Sequence, residues 1–571
     1  MAYFPPSGTS IVKEAPRGYH AAIVLILLLS LWLRGAFPIT AFGGAVHDDQ
    51  LFVRMAASIG SGNWLGNYDN LTHAKGAAYS LFLLANHGTG LPVKISEHFL
   101  YLLAALFFSI IIGRVYATRW AVIASFVLLA FTPTAWNPET GGRIVREGLY
   151  VSLSLFLIAL AAHCLVMNKS VSVAEEFREK RLSLVLLGLT GGFYWLTREE
   201  GVWLLPSIAI LALFWLWSRP PALCMWKTKV LFMALPLIPF VLIVGTVNSL
   251  NYYKYGVFRN NDIRSTDFQL AYGALSRIKH DQWERYVVFP RDARERAYRF
   301  SPAVRELQPY FEGPLGEAWR VGGCRQTGIN PCPEILSGWF MWALRDAVSA
   351  AGHYRSAEVA QLFYVRLAAE VNAACDSHPG ECLPHRQSMT PPWRPHYLLD
   401  TVRTSWQVFE TLVTLRGVPE GVGVSTGTSE QLALFAKVTN GPLAPSAPSV
   451  PSAGIAEQTT HSKVSPRDLV RFKLATYLAT AERTICTIGV PLALIAWLLW
   501  LVMAVRRRKL DAGLVVASAL VVALGARVVL LAYLEATSIP SNNMLYLFPV
   551  VPMTLALIPT VLFGIINFLR K

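Results

Sequence analysis

Charge is scarce in this chain. Asp, Glu, Lys and Arg make up 15% of its 571 residues, where an average soluble domain carries about 25%. A wholly water-facing protein is thereby excluded. No C-x-x-C pair occurs, so the usual paired zinc motif is absent. No nucleic-acid-binding motif accompanies the net charge of +15, and nucleic acid is not expected as a partner, although such a charge would suggest it in a soluble protein. No solenoid, collagen-like or other internal period runs through the sequence. The first apolar run, about Ala21–Phe37, lacks a small-residue cleavage site and reads as a retained helix.

What is present is apolar. Hydrophobic residues reach 53% and the mean hydropathy is +0.40. Apolar runs lie near 20–37, 97–113, 120–134, 147–166, 183–197, 201–217, 229–249, 485–505, 512–534 and 544–569. Most approach the ~20 residues that cross a hydrocarbon core, which predicts an α-helical polytopic membrane protein with about ten spanning helices. The short run at 183–197 holds Gly188, Gly191 and Gly192, which suit tilt or close helix packing.

Loop charge orients the bundle. With Lys13 and Arg17 in the cytoplasm, the inner loops hold Arg114 and Arg119; Lys169, Arg178, Lys180 and Arg181; Arg219, Lys227 and Lys229; Arg506, Arg507, Arg508 and Lys509; and Arg570 with Lys571. The alternate short loops hold fewer, as the positive-inside rule requires. Both termini are therefore expected in the cytoplasm. Three parts follow: an N-terminal membrane module (1–249), a soluble outer domain (250–484) and a C-terminal membrane module (485–571). In the outer loop 38–96, Leu51, Phe52, Met55, Ala56 and Ile59 share one helical face, which predicts an amphipathic helix lying in the membrane interface. Ala77–Ala85 can do the same. The outer domain has helical spacing near 291–308, 334–350, 355–374, 398–415 and 428–438, and 441–465 reads as a Pro-rich linker.

Of seven cysteines, Cys164, Cys224 and Cys486 lie in or beside apolar runs, whereas Cys324, Cys332, Cys375 and Cys382 fall in the outer domain. Four cysteines permit three pairings, and the close spacings favour Cys324–Cys332 and Cys375–Cys382. An oxidising compartment would make both disulfides; a structural zinc site is the alternative.

Ionisable residues gather at the outer ends of the apolar runs. His47-Asp48-Asp49 follows the first run: an outward carboxylate can serve as general base, or cap a helix starting near Gln50. Arg143, Arg146 and Glu147 enter the fourth run; Arg143 and Glu147, four apart, suit an ordinary helix-face ion pair, while guanidinium groups also suit phosphate. Arg198-Glu199-Glu200 is confined to a turn between two runs, reaching either interfacial water or a polar cavity. Lys75 either neutralises a lipid phosphate or snorkels. The segment 251–258, with Tyr253, suits an interfacial aromatic belt or stacking on sugar or isoprenoid.

These pieces in this order resemble one superfamily. Asp48-Asp49 after the first helix, Arg-x-x-Arg-Glu at 143–147, Leu-Thr-Arg-Glu-Glu-Gly at 196–201 and Leu545-Tyr546-Leu547-Phe548-Pro549 resemble the GT-C glycosyltransferases. They resemble especially the branch with protein O-mannosyltransferases, aminoarabinose transferases and mycobacterial arabinosyltransferases. Asn543-Met544 stands where that branch often has Arg. The resemblance implies an inverting transferase that takes sugar from a polyprenyl-phosphate donor, with Asp49 first and Asp48 second as the base. Its acceptor would be a glycan, a lipid or a protein. Lys75, Arg143, Arg146, Glu147, Arg198, Glu199, His47 and Tyr253 would bind substrate or phosphate. Some relatives use a divalent metal and others do not; His47, Asp48 and Asp49 offer ligands without completing a set, and no other cofactor is implied. The location expected is the bacterial cytoplasmic membrane, surrounded by membrane lipids, with the insert periplasmic or extracellular. The outward acidic pair supports a lipid-borne donor independently, since nucleotide sugars are not available on that side. The competing class is a lipid or solute transporter, which should show repeat symmetry around a midplane site; no such repeat is evident.

Overall fold

The structure, a computed structural model, describes residues 17–167, 172–218, 226–281, 284–446 and 466–570. Lys13, Lys169, Arg219, Lys571, Cys224 and positions 447–465 of the linker lie outside the described residues.

Every apolar run becomes helix. Among the described residues, seven helices are long and apolar enough to cross a membrane: Arg17–Arg34, Val93–Tyr116, Glu147–Leu165, Trp226–Tyr255, Asp468–Arg506, Ala512–Thr537 and Met544–Leu569. Runs 120–134 and 201–217 form the shorter apolar helices Arg119–Ala135 and Gly201–Trp217. Run 183–197 is the apolar second half of Val173–Thr197. Ser172 caps that helix by accepting from the Glu175 N–H, and its first turns carry the charge. A Cβ on Gly188 would collide with the Pro236 carbonyl, so glycine here permits the close helix contact that its small size suggested. The chain is a helical polytopic membrane protein.

The first-loop helices, Asp49–Gly60 and Ala78–Thr89, correct one expectation. Their apolar faces do not lie open to lipid. Phe52, Val53 and Ala56 pack with Tyr79, Leu83, Ile144 and Phe435. Leu51 and Met55 pack with Leu196 and Val247 of the membrane body. Periodicity identified the apolar face correctly, but protein rather than membrane covers it.

The insert is helical and has its own core, built on Phe268, Tyr272, Phe340, Leu344, Tyr364 and Leu367. The segment near 291–308 breaks into Arg291–Phe300, Pro302–Glu306 and a third turn at Gln308–Phe311. Prolines at 302 and 309 start new turns because their fixed φ suits a first helical position. Two further helices, Thr266–Ser276 and Pro314–Thr327, carried no clear periodic signal. Disulfides join Cys324 to Cys332 and Cys375 to Cys382, the pairing that close spacing favoured.

The insert is stitched onto the membrane body. Helix Ser429–Thr439 lies on the first-loop helices, and His396–Thr414 packs along Ala512–Thr537. Ile39 and Phe42 bridge to Leu443 and Thr426. The helix Pro466–Arg506 begins well ahead of position 485, so its first turns arise within sequence assigned to the insert.

Candidate functional site

A network of ion pairs forms where the insert meets the membrane body, and it joins residues far apart in sequence. Asp49 opens helix Asp49–Gly60, and Asp48 stands at its N-cap without making a side-chain cap bond. The capping role does not hold because both carboxylates are engaged elsewhere. Arg143 donates to Asp49 through Nη2 at 2.5 Å and Nε at 3.3 Å. Lys75 pairs with Asp48.

Arg143 precedes helix Glu147–Leu165 rather than lying in it. The expected Arg143–Glu147 pair therefore does not form, since the four-residue spacing brings side chains together only within a helix. Glu147 instead pairs with Arg198. Arg146 donates to Glu199 at 2.7 Å. Arg198 also reaches Glu200 at 3.0 Å, and Arg527 meets Glu200 at 2.7 Å.

Exposure separates the two aspartates. The Asp49 side chain is 0% exposed, whereas that of Asp48 is 51% exposed. Lys75 is buried, with its ammonium over the Phe52 ring and near Trp342, so it does not snorkel. Gly76 lets this loop close: a Cβ there would run into the Leu196 carbonyl. Asn261 completes the join, donating to the Ala74 carbonyl at 3.1 Å and to Glu199 at 2.9 Å.

Burial and charge compete over the acidic groups. Desolvation pushes the Asp48 carboxyl up, but Lys75, with Arg143 and Arg146 behind it, brings it below the usual carboxylate range. Burial pulls the Lys75 ammonium down against Asp48. Burial likewise raises Glu199, and Arg146 outweighs it, so the net is downward. Glu200 is opposed by burial yet is drawn down by Arg198 and Arg527 to about 2.

Two cavities flank the network. A polar one of about 740 Å³ lies between membrane body and insert, lined by Glu139, Arg143, Trp339, Glu535, Asn543 and Tyr546 among others. An apolar groove of about 340 Å³ runs among membrane helices past Leu157, Leu184, Gly188, Trp195, Leu205 and Phe240. Trp195 also borders a small niche with Gly76, Arg198, Glu199, Asn261 and Arg264. Arg264 stacks on Trp195, with its guanidinium 4.0 Å from the ring centroid. It has no ion-pair partner among the described residues.

Two expected site residues fall outside this network. His47 packs its ring against Trp319 and Trp342, with Asp346 at 3.8 Å. Tyr253 is 89% exposed and stands outside the ion-pair network. As a ligand set, His47, Asp48 and Asp49 diverge to Asp346, Lys75 and Arg143. No three His, Cys, Asp or Glu side chains converge to hold a metal ion among the described residues.

The sequence reading missed Arg527, Asn261 and Arg264. Arg527 carried a usable signal, being a charged residue within an apolar run. The other two lie in an ordinary polar segment and gain meaning only from the fold.

Fold and site together define a polytopic helical membrane protein with a charged cluster set between an intramembrane apolar groove and a polar cavity. No protein-family model matches the chain, and no curated protein does so either. Among solved structures it is similar to ArnT from Cupriavidus metallidurans bound to undecaprenyl phosphate, at 14% identity and a TM-score of 0.32, over 96% of this chain and 78% of that one. The apo state of the same protein aligns at 13% identity and a TM-score of 0.29, over 95% and 78% of the two chains. At these scores the likeness assigns no residue a role, and the functional argument rests on the geometry above.

Proposed function

We propose that this chain is a membrane glycosyltransferase of the GT-C kind, transferring sugar from a polyprenyl-phosphate donor to an acceptor hydroxyl. The observation that carries the reading is a half-exposed carboxylate, Asp48, paired with Lys75 and flanked by Arg143 and Arg146, in an ion-pair network of which Arg143 lines the polar cavity. The groove suits an isoprenoid tail. Arg264, stacked on Trp195 at the edge of that groove, suits a phosphate, since guanidinium forks match phosphate oxygens. The polar cavity admits the acceptor from the insert side. The site then faces the outer surface of a bacterial cytoplasmic membrane, with both termini cytoplasmic.

In the reaction, the acceptor oxygen attacks the anomeric carbon and the bond from that carbon to the phosphate oxygen breaks. The lipid phosphate departs with the electron pair, and Asp48 takes the acceptor proton. A single displacement of this kind inverts the anomeric centre. Arg264, Arg198 and Lys75 stabilise the charge that develops on the phosphate. Asp48 takes the base role ahead of Asp49 because Asp49 is sealed and held by Arg143; Asp49 positions Arg143 on the cavity wall.

The test is transfer from radiolabelled polyprenyl-phosphate sugars in membranes carrying wild type, Asp48→Asn or Asp49→Asn. General-base catalysis contributes about 10²–10⁴-fold, and Asp48→Asn should lose that much while expression is retained. Undiminished transfer by Asp48→Asn would remove the assigned base.

A further inference from the structure

The helix His396–Thr414 belongs to the insert by sequence, yet its surface has three distinct sectors. One sector packs inward: Tyr397, Thr404, Val408 and Leu412 are buried. A second is polar, with Asp400, Arg403, Gln407 and Glu410 along it. The third is apolar and open. Leu398 is 64% exposed, Leu399 54%, Val402 62% and Trp406 68%. Positions 398, 402 and 406 stack along one line of a helix. Trp393, just ahead of the helix, is also 60% exposed. An open apolar stripe of this size marks a surface that something covers.

The position of the helix identifies the cover. It packs along Ala512–Thr537 and against Pro466–Arg506, both of which include candidate membrane spans. Val408, Leu412 and Val413 join the core formed by the membrane helices. The Thr487 hydroxyl donates to the Val413 carbonyl at 3.1 Å. The flanking spans expose Ile485, Ile488 and Val529, a surface that faces acyl chains in any membrane-spanning arrangement. The open stripe on His396–Thr414 therefore belongs to a helix packed directly against two spans.

We infer that helix His396–Thr414 lies in the membrane interface with Leu398, Leu399, Val402 and Trp406 in lipid. An apolar face beside a charged one is the pattern of a helix at the boundary of water and lipid, and Trp393 suits the headgroup level. The insert is then anchored to the leaflet on its own side through this helix. The inference does not depend on the chemistry proposed above, since it requires only that the neighbouring helices span.

Nitroxide labelling tests it on the full-length chain. Cys164, Cys224 and Cys486 are replaced by Ser, leaving both disulfides. Single labels are then placed at Val402→Cys and, as a second site, Leu398→Cys, in nanodiscs of phosphatidylethanolamine and phosphatidylglycerol. Ile488→Cys is the lipid reference, and Glu295→Cys, 62% exposed on the insert, is the water reference. The expected result is collision with oxygen severalfold favoured over collision with a nickel chelate at both test sites, as at position 488. A ratio like that at position 295 would place the face in water. Low collision with both reagents would place it under protein, a second copy or another partner. Either result overturns the inference.

Discussion

At the scale of single residues, the Lys75–Asp48 contact sets the charge state of the proposed base. With Lys75 beside it, Asp48 titrates below the ordinary carboxylate value, so a base at this position is ionised throughout the neutral range. Replacing Lys75 with Met removes the main group that lowers it and leaves desolvation, which raises it. The acid limb of the pH–rate profile should therefore move to higher pH in Lys75→Met, with kcat reduced even on the plateau. An unmoved limb would mean that Asp48 is not the titrating base. Glu200 provides a stability prediction with the same sign. Its folded pKa of about 2 lies below the ordinary glutamate value of 4.5, so its contribution is complete above pH ~4.5 and is lost as pH falls towards 2. At 1.36 kcal/mol per unit, the contribution is about 3 kcal/mol as an upper figure. Glu200→Gln should lower the melting temperature in detergent at pH 7, and the gap from wild type should narrow steadily below pH 4.5.

At the scale of helices and loops, Gly76 makes the contact that brings the site together. The chain passes so close to the Leu196 carbonyl that even a methyl group does not fit. Gly76→Ala should push Lys75 and Ala74 away from Asn261 and Glu199, cutting transfer at least tenfold, of the order expected when catalytic groups shift by about 1 Å. Normal expression with unchanged activity would show that the loop has room to spare. At this scale the sequence was legible wherever local pattern suffices. The apolar runs, the helical spacing near 334–350 and 355–374, and the close cysteine pairs all appear as helices and disulfides. Legibility ended where an outcome depends on what lies opposite. Leu51, Phe52 and Met55 announce an apolar face, but only the tertiary structure shows Tyr79, Phe435 and Leu196 covering it. Arg143 and Glu147 look like a helical pair until the helix is seen to begin at Glu147.

At the scale of the whole molecule, insert and membrane body act as one unit, because the contacts joining them reach the loop that carries Lys75. Arg345, 0% exposed on helix Ser337–Ala350, donates to the Asn70 carbonyl and meets Asp262 at 3.0 Å. Asn70 in turn donates to Asp346 at 2.5 Å. The Asp262 N–H donates to the His73 carbonyl at 2.8 Å, two residues before Lys75. These partners stand up to 276 positions apart, so no local pattern foretold them. Removing the guanidinium by Arg345→Leu leaves Asp262 with Arg259 as its remaining ion-pair partner among arginines. Breaking a buried pair in this way costs about 3–5 kcal/mol, and the loss should fall on the docked state of the insert rather than on its own helical core, which centres on Phe340 and Leu344. Hydrogen exchange should therefore quicken together in 67–75 and 258–264, while 357–377 stays protected, and transfer should fall even though Arg345 touches neither Asp48 nor the cavity wall. If exchange rose throughout the insert instead, Arg345 would be a brace of the insert's own fold. If neither exchange nor transfer changed, the insert and the Lys75 loop would be mechanically independent despite their contact.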